Sequence, residues 1–137
     1  MKTRVAVLVV GLVLLLRAAP AFAHHAFTAE FDANKHIKVK GTVTKLDWKN
    51  PHIWFYVDVK DDSGKVTNWG FEMDSPNKML RDGWTRNSMK FGDEVTVEGS
   101  RAKDASNNVN VKVVTLSGSG KRLFGASSQG SGETPER

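Results

Sequence analysis

The chain has 137 residues, no cysteine, 20 Lys plus Arg against 15 Asp plus Glu, and 39% hydrophobic residues. That length suits one domain. The missing thiol excludes a disulfide scaffold, a Cys-ligated zinc or iron–sulfur centre, a cysteine nucleophile and a lipid anchor on an N-terminal Cys.

Lys2 and Arg4 precede an unbroken apolar run from Val5 to Leu16, and Pro20 and Ala21-Phe22-Ala23 come after it. A basic start, a short apolar stretch and small residues at the last and third-last positions before a cut define a secretory signal peptide. The run would rise only about 18 Å as a helix, short of a bilayer core of about 30 Å. Residues 1–23 therefore read as a Sec-type leader cleaved after Ala23, and the product as periplasmic or secreted, with no membrane insertion after cleavage. Removing the three basic residues of the leader leaves seventeen basic against fifteen acidic residues. The mature charge is then near balance and gives no support to nucleic-acid binding.

Residues 24–36 form an N-terminal segment, and period-two alternation dominates the chain from Ile37 onward. Ile37, Val39, Gly41 and Val43 share one face, while Lys38, Lys40, Thr42 and Thr44 share the other. Asn50-Pro51 breaks the chain, because proline cannot donate to a sheet ladder and restricts the residue before it. The second strand puts Ile53, Phe55, Val57 and Val59 on one face, with Trp54, Tyr56, Asp58 and Lys60 opposite. Asp61-Asp62-Ser63-Gly64 predicts a hairpin turn into a third strand that groups Thr67, Trp69, Phe71 and Met73.

The period then changes. Ser75 reads as an N-cap with Pro76 at the first helical position, and Asp82-Gly83 ends that helix. Thr85 reads as a second N-cap, with Trp84 stapled onto Met89. A fourth strand has Val95 and Val97 inward, and a fifth carries Val109, Val111 and Val113. Residues 125–137 are too poor in apolar surface to fold and read as a disordered tail. Three strands, a short helical segment and two more strands predict a mainly β fold, a small five-stranded OB-like barrel over residues 37–124. A small open β-sandwich is the alternative.

Several segments also carry a resemblance: His24-His25-Ala26-Phe27 with Glu30-Phe31-Asp32, Gly41-Thr42-Val43, Asn50-Pro51-His52 and Asn68-Trp69-Gly70-Phe71-Glu72. Gly83-Trp84-Thr85-Arg86 and Gly92-Asp93-Glu94-Val95-Thr96-Val97-Glu98-Gly99 extend it over nearly all of residues 24–124. Together they resemble a family of small exported bacterial proteins defined as a domain of unknown function. Its architecture is similar to periplasmic bacterial OB-fold proteins, which implies the same fold and carries no activity.

Two sets of residues point to binding. Trp54 and Tyr56 project away from the core, with Lys38 and Lys40 on the neighbouring strand and Trp48 and Asn50 near the same end. Aromatics interleaved with lysine make a stacking platform of the kind OB-folds use for oligonucleotides and oligosaccharides, and export favours a glycan, peptide or small anionic ligand. The competing explanation is that Phe27 and Phe31 pack over those rings as a second small core. The other set is the cleaved terminus. His24 would present a free amine beside its imidazole, with His25, His52 or His36 as further ligands and Glu30 and Asp32 as oxygen donors, a set that suits copper.

Enzymatic constellations are thin: there is no nucleophile elbow, no phosphate-cradling glycine loop and no His-Glu-x-x-His helix. The expected function is a non-enzymatic binding module for a small molecule, glycan or envelope component. The alternatives are a copper-binding protein and an envelope protein-interaction module.

Overall fold

The computed structural model describes residues 27–125. Residues 1–26, which hold the expected leader, His24 and His25, and residues 126–137 of the expected tail lie outside the described residues. Six strands form one sheet: β1 (Phe31–Asp47), β2 (Trp54–Lys60), β3 (Val66–Glu72), β4 (Glu94–Ala102), β5 (Asn108–Leu116) and β6 (Arg122–Phe124). Antiparallel pairing gives the order β3-β2-β1-β4-β5-β6, and a short parallel contact between β3 and β5 closes β1-β2-β3-β5-β4 into a ring. The five expected strands are all present, in one sheet that closes, and β6 is an addition that residue periodicity does not predict.

The alternating residues explain the ring. Val43, Phe55, Val57, Phe71, Val95, Val97, Val109 and Val111 are essentially without exposure and form one core with Ile53, Met73 and Val114. Each strand thereby commits one face inward, which pins its register, because a one-residue slip would turn every apolar side chain outward.

The alternation breaks in two places. The β1–β2 register shifts between Val43 and Lys45, so Leu46 turns toward the core and Lys45 falls opposite Tyr56 on the other face. The β4–β5 register shifts between Glu98 and Gly99. Beyond it Val114, not Val113, joins the main core, while Val113 is buried against its β6 partner Phe124. That corrects the expected Val109-Val111-Val113 face. An extra residue in one strand reverses facing from that point on.

Between β3 and β4 lies the helix Pro76–Arg81, capped as expected: Ser75 Oγ accepts from Lys78 N at 3.4 Å and Pro76 opens the first turn. It carries Met79 into the core, where Trp84 and Met89 join it. Thr85 does not start a second helix. Its backbone N–H and Oγ1 hydrogen bond with Ser88 Oγ, and its Oγ1 accepts from Asn87 N, so residues 85–89 form a tight turn. Trp84 and Met89 enter the core from that turn without helical spacing.

β1 begins at Phe31, well before the alternating stretch at Ile37. Residues 27–30 are helical, and Phe31 pairs with Ala102 across a further register shift that ends at His36. Asp32-Ala33-Asn34-Lys35 carries no period-two signal because that shift takes the segment out of alternation. Phe27 and Phe31 stack with centroids 5.8 Å apart and form a second small core with Ala102 and Ala33.

Candidate functional site

Hairpin geometry builds the outer face of β2 and β3. Asp61 Oδ1 gathers Ser63 N, Ser63 Oγ and Lys65 N at 2.9, 2.6 and 3.0 Å, and the Ser63 hydroxyl is the main reason its carboxyl sits below the usual range. That turn sets the register Tyr56 against Gly70 and Trp54 against Glu72. Facing residues share a side of the sheet, so Trp54, Tyr56, Gly70 and Glu72 form one outward patch.

Trp54 and Tyr56 are half-buried and stacked, with centroids 6.5 Å apart and planes 25° from parallel. A side chain at position 70 would intrude on them: a Cβ there would lie 3.4 Å from the Trp54 ring, 3.5 Å from the Tyr56 ring and 2.7 Å from Asn108 Oδ1. Gly70 therefore lets the two rings and Asn108 converge over the backbone. Asn68 continues the patch, donating to Asp58 Oδ1 at 2.7 Å and to Thr44 Oγ1 at 3.1 Å.

The lysine at this patch is Lys45, whose ammonium lies 5.2 Å from the Tyr56 ring centre. Lys45 also bonds Asp47 Oδ2 at 2.7 Å, with Lys49 at 3.8 Å from the same oxygen. The Lys45 hydrogen bond is the chief cause of a lowered Asp47 carboxyl, and Asp47 in turn raises Lys45. Lys38 and Lys40 stand elsewhere. They lie on the β4 side, paired with Glu98 at 3.2 Å and Glu94 at 3.5 Å. In an antiparallel hairpin the end of β1 faces the start of β2, so Trp54 and Tyr56 meet residues 45–47 and not residues 38–40. Trp48 packs against the main core with the Arg86 guanidinium 5.8 Å from its ring, and Asn50 is exposed beside a cis bond to Pro51.

A cavity of about 500 Å³ opens next to Trp54. Trp54 and Asn108 line one side, Ala29, Glu30 and Phe31 the other, and Ala102, Lys103 and Asp104 its end. Lys103 fixes the N-terminal segment there: its backbone N–H donates to Glu30 O at 2.9 Å and its side-chain Nζ donates to Thr28 O. The second small core thus forms on Ala102, across the cavity from Trp54. It does not seal the two rings.

The histidines divide. His36 is exposed on β1, opposite Ser100. His52, just before β2, places Nδ1 in hydrogen-bond contact with Glu72 Oε1. The Glu72 residue is only 7% exposed, and Asn110 and Ser100, the other buried polar residues among those described, succeed it across β5 and β4. Among the described residues no group of three or more His, Asp or Glu converges as a metal site. Residue order alone did not single out Lys45, Glu72 or Asn108. Glu72 was legible, since the turn at Asp61 fixes its place opposite Trp54. Asn108 was not, because only closure of β3 onto β5 brings it there.

A family model described as a family of unknown function, DUF6152, matches residues 12–111, and the chain belongs to that family. No curated protein matches it.

Proposed function

We propose that this member of the DUF6152 family is an exported, non-enzymatic binding module built on a small OB-like barrel. Its site is the cleft beside Trp54, and its ligand a small molecule with one apolar face and polar edges, of which a sugar ring is the best fit. The fold part draws support from the ring order β1-β2-β3-β5-β4 with a helix between β3 and β4, the arrangement of that barrel class. The export part draws on the leader pattern in residues 1–23.

The observation that carries the ligand reading is the cavity. Its volume of about 500 Å³ lies in the range of small-molecule sites, with an indole wall on one side and a polar rim of Glu30, Lys103, Asp104 and Asn108. Glu30 and Asp104 beside Lys103 give it both signs of charge. A neutral, hydroxyl-rich ligand satisfies such a rim better than a strongly anionic one, which would meet two carboxylates.

The test is tryptophan fluorescence of the mature protein titrated with hexose and N-acetylhexosamine oligosaccharides. A saturable change is expected, lost in the double variant Trp54→Ala/Tyr56→Ala while the far-UV spectrum is retained. Equal binding by the double variant, measured by calorimetry, would remove the site. No calorimetric or fluorescence response of the wild type would remove the sugar class.

A further inference from the structure

We propose that the segment joining β3 to β4, residues 76–93, docks the barrel onto the surface of an anionic phospholipid bilayer. Phe91 and Leu80 enter the headgroup layer, and Arg81, Arg86 and Lys90 meet the lipid phosphates. This surface is separate from the cleft beside Trp54, whose lining contains none of these residues.

The segment has two sides. Met79, Trp84 and Met89 are buried and meet in the barrel core. The residues that follow them face away from it: Leu80 and Arg81, then Arg86, then Lys90 and Phe91, all exposed. Residues 90–93 form a tight turn. Asp93 N donates to Lys90 O at 3.1 Å, Asp93 Oδ2 accepts from Lys90 N at 2.8 Å, and Gly92 has a φ of +86°. A positive φ at the third position leaves Phe91 second in the turn, at its tip. Phe91 is 80% exposed there, and Leu80 is 51% exposed on the helix.

Charge sets this cap apart. Residues 76–93 hold four basic and two acidic side chains, an excess equal to that of the whole chain beyond residue 23. Lys78 is paired with Asp82 at 2.5 Å, whereas Arg81, Arg86 and Lys90 form no salt bridge among the described residues. The Arg86 guanidinium lies over the Trp48 ring, 5.8 Å from its centre, which leaves its edge N–H groups for phosphate oxygens.

A lone exposed apolar residue is ordinary on a protein surface. Two of them among three unpaired cations match a bilayer interface, where apolar side chains sink below the phosphates and cations stay level with them. Shape points the same way. A Cβ at Gly83 or Gly92 would meet no atom within 4 Å, so the backbone at both turns stands clear of any wall that could grip a peptide. A protruding ring needs a surface that yields, and lipid does.

The experiment is co-sedimentation of the mature protein with vesicles of phosphatidylethanolamine and phosphatidylglycerol. The mature form is used because the apolar run of residues 5–16 would bind lipid by itself. Binding is expected at low salt, with release as salt rises and little binding to phosphatidylcholine vesicles. Phe91→Ala, and separately Arg81→Gln/Lys90→Gln, should each weaken it about tenfold with unchanged far-UV spectra. Lys38→Gln/Lys40→Gln removes as many cations on the β1–β4 side and should bind as the wild type does. No binding to the anionic vesicles, or wild-type binding by either cap variant, would overturn the proposal. Wild-type lipid binding by Phe91→Ala together with retention on immobilised polyglutamate would identify an acidic protein partner instead. Should Phe91→Ala misfold, Phe91→Trp decides: stronger quenching than in the wild type by lipids brominated in the acyl chain supports docking, and equal quenching overturns it.

Discussion

The indole Nε1 of Trp84 donates to the backbone carbonyl of Phe124 at 2.8 Å, joining the turn after the helix to β6. Trp84 is 1% exposed, so the bond satisfies a buried donor and fastens a strand of three residues whose ladder is otherwise short. Trp84→Phe keeps an aromatic ring and removes the donor. It should cost about 1–3 kcal/mol in urea unfolding. The Gly125 amide, which bonds Lys112 O at 2.8 Å, should exchange faster in that variant. Unchanged stability and exchange would show that β6 is held without the indole.

Gly70 sits where a Cβ would press 2.7 Å from Asn108 Oδ1. Gly70→Ala should destabilise the protein by about 1 kcal/mol, the low end for overpacking, because an exposed asparagine can move aside. Adding Asn108→Ala should return part of that loss, a coupling visible in a double-mutant cycle. Strict additivity would mean that the strain falls on the two rings instead.

Lys38 and Lys40 pair with Glu98 and Glu94 at an exposed surface, with lysine side chains 67% and 64% exposed. Removing either should change stability by about 0.5 kcal/mol or less. The oligosaccharide titration should be unaffected by these changes and altered by Lys45→Ala, whose ammonium lies over Tyr56. The reverse pattern would place the ligand on the β1–β4 face.

Asp61 has its carboxyl lowered in the folded state, first by the Ser63 hydroxyl and then by backbone N–H groups, against the ordinary value of 3.8. A depressed folded value means that the turn stabilises the protein above the unfolded pKa and that this contribution is lost as pH falls through the folded one. Asp104, lowered chiefly by Ser106, acts in the same direction. Melting temperature should therefore fall on acidification below about pH 4. Asp61→Asn should lower it at neutral pH and flatten the acid dependence. Parallel curves for variant and wild type would discount the turn.

Much of the outer face could be read from residue order, and the particular elements show where that stopped. The turn at Asp61 fixes Trp54 opposite Glu72 and Tyr56 opposite Gly70 by counting back along two strands. Strict alternation selects the wrong lysines for two reasons: antiparallel pairing sets residues 45–47, not 38–40, against the rings, and one extra residue near Thr44 turns Lys45 outward there. The second core at Phe27 and Phe31 was visible as a pair of rings, but its seat on Ala102 was not.

The sequence by itself determined five of the six strands, the capped helix and the inward and outward sets away from the register shifts, because side-chain period and turn chemistry act over a few residues. Tertiary structure decided the rest: the ring closure that brings Asn108 to Gly70, the register shifts, the cavity beside Trp54, and which histidine meets a buried acid. Those features join residues far apart in the chain. Their energies depend on how whole strands pack and close, and no local window of residues contains that information.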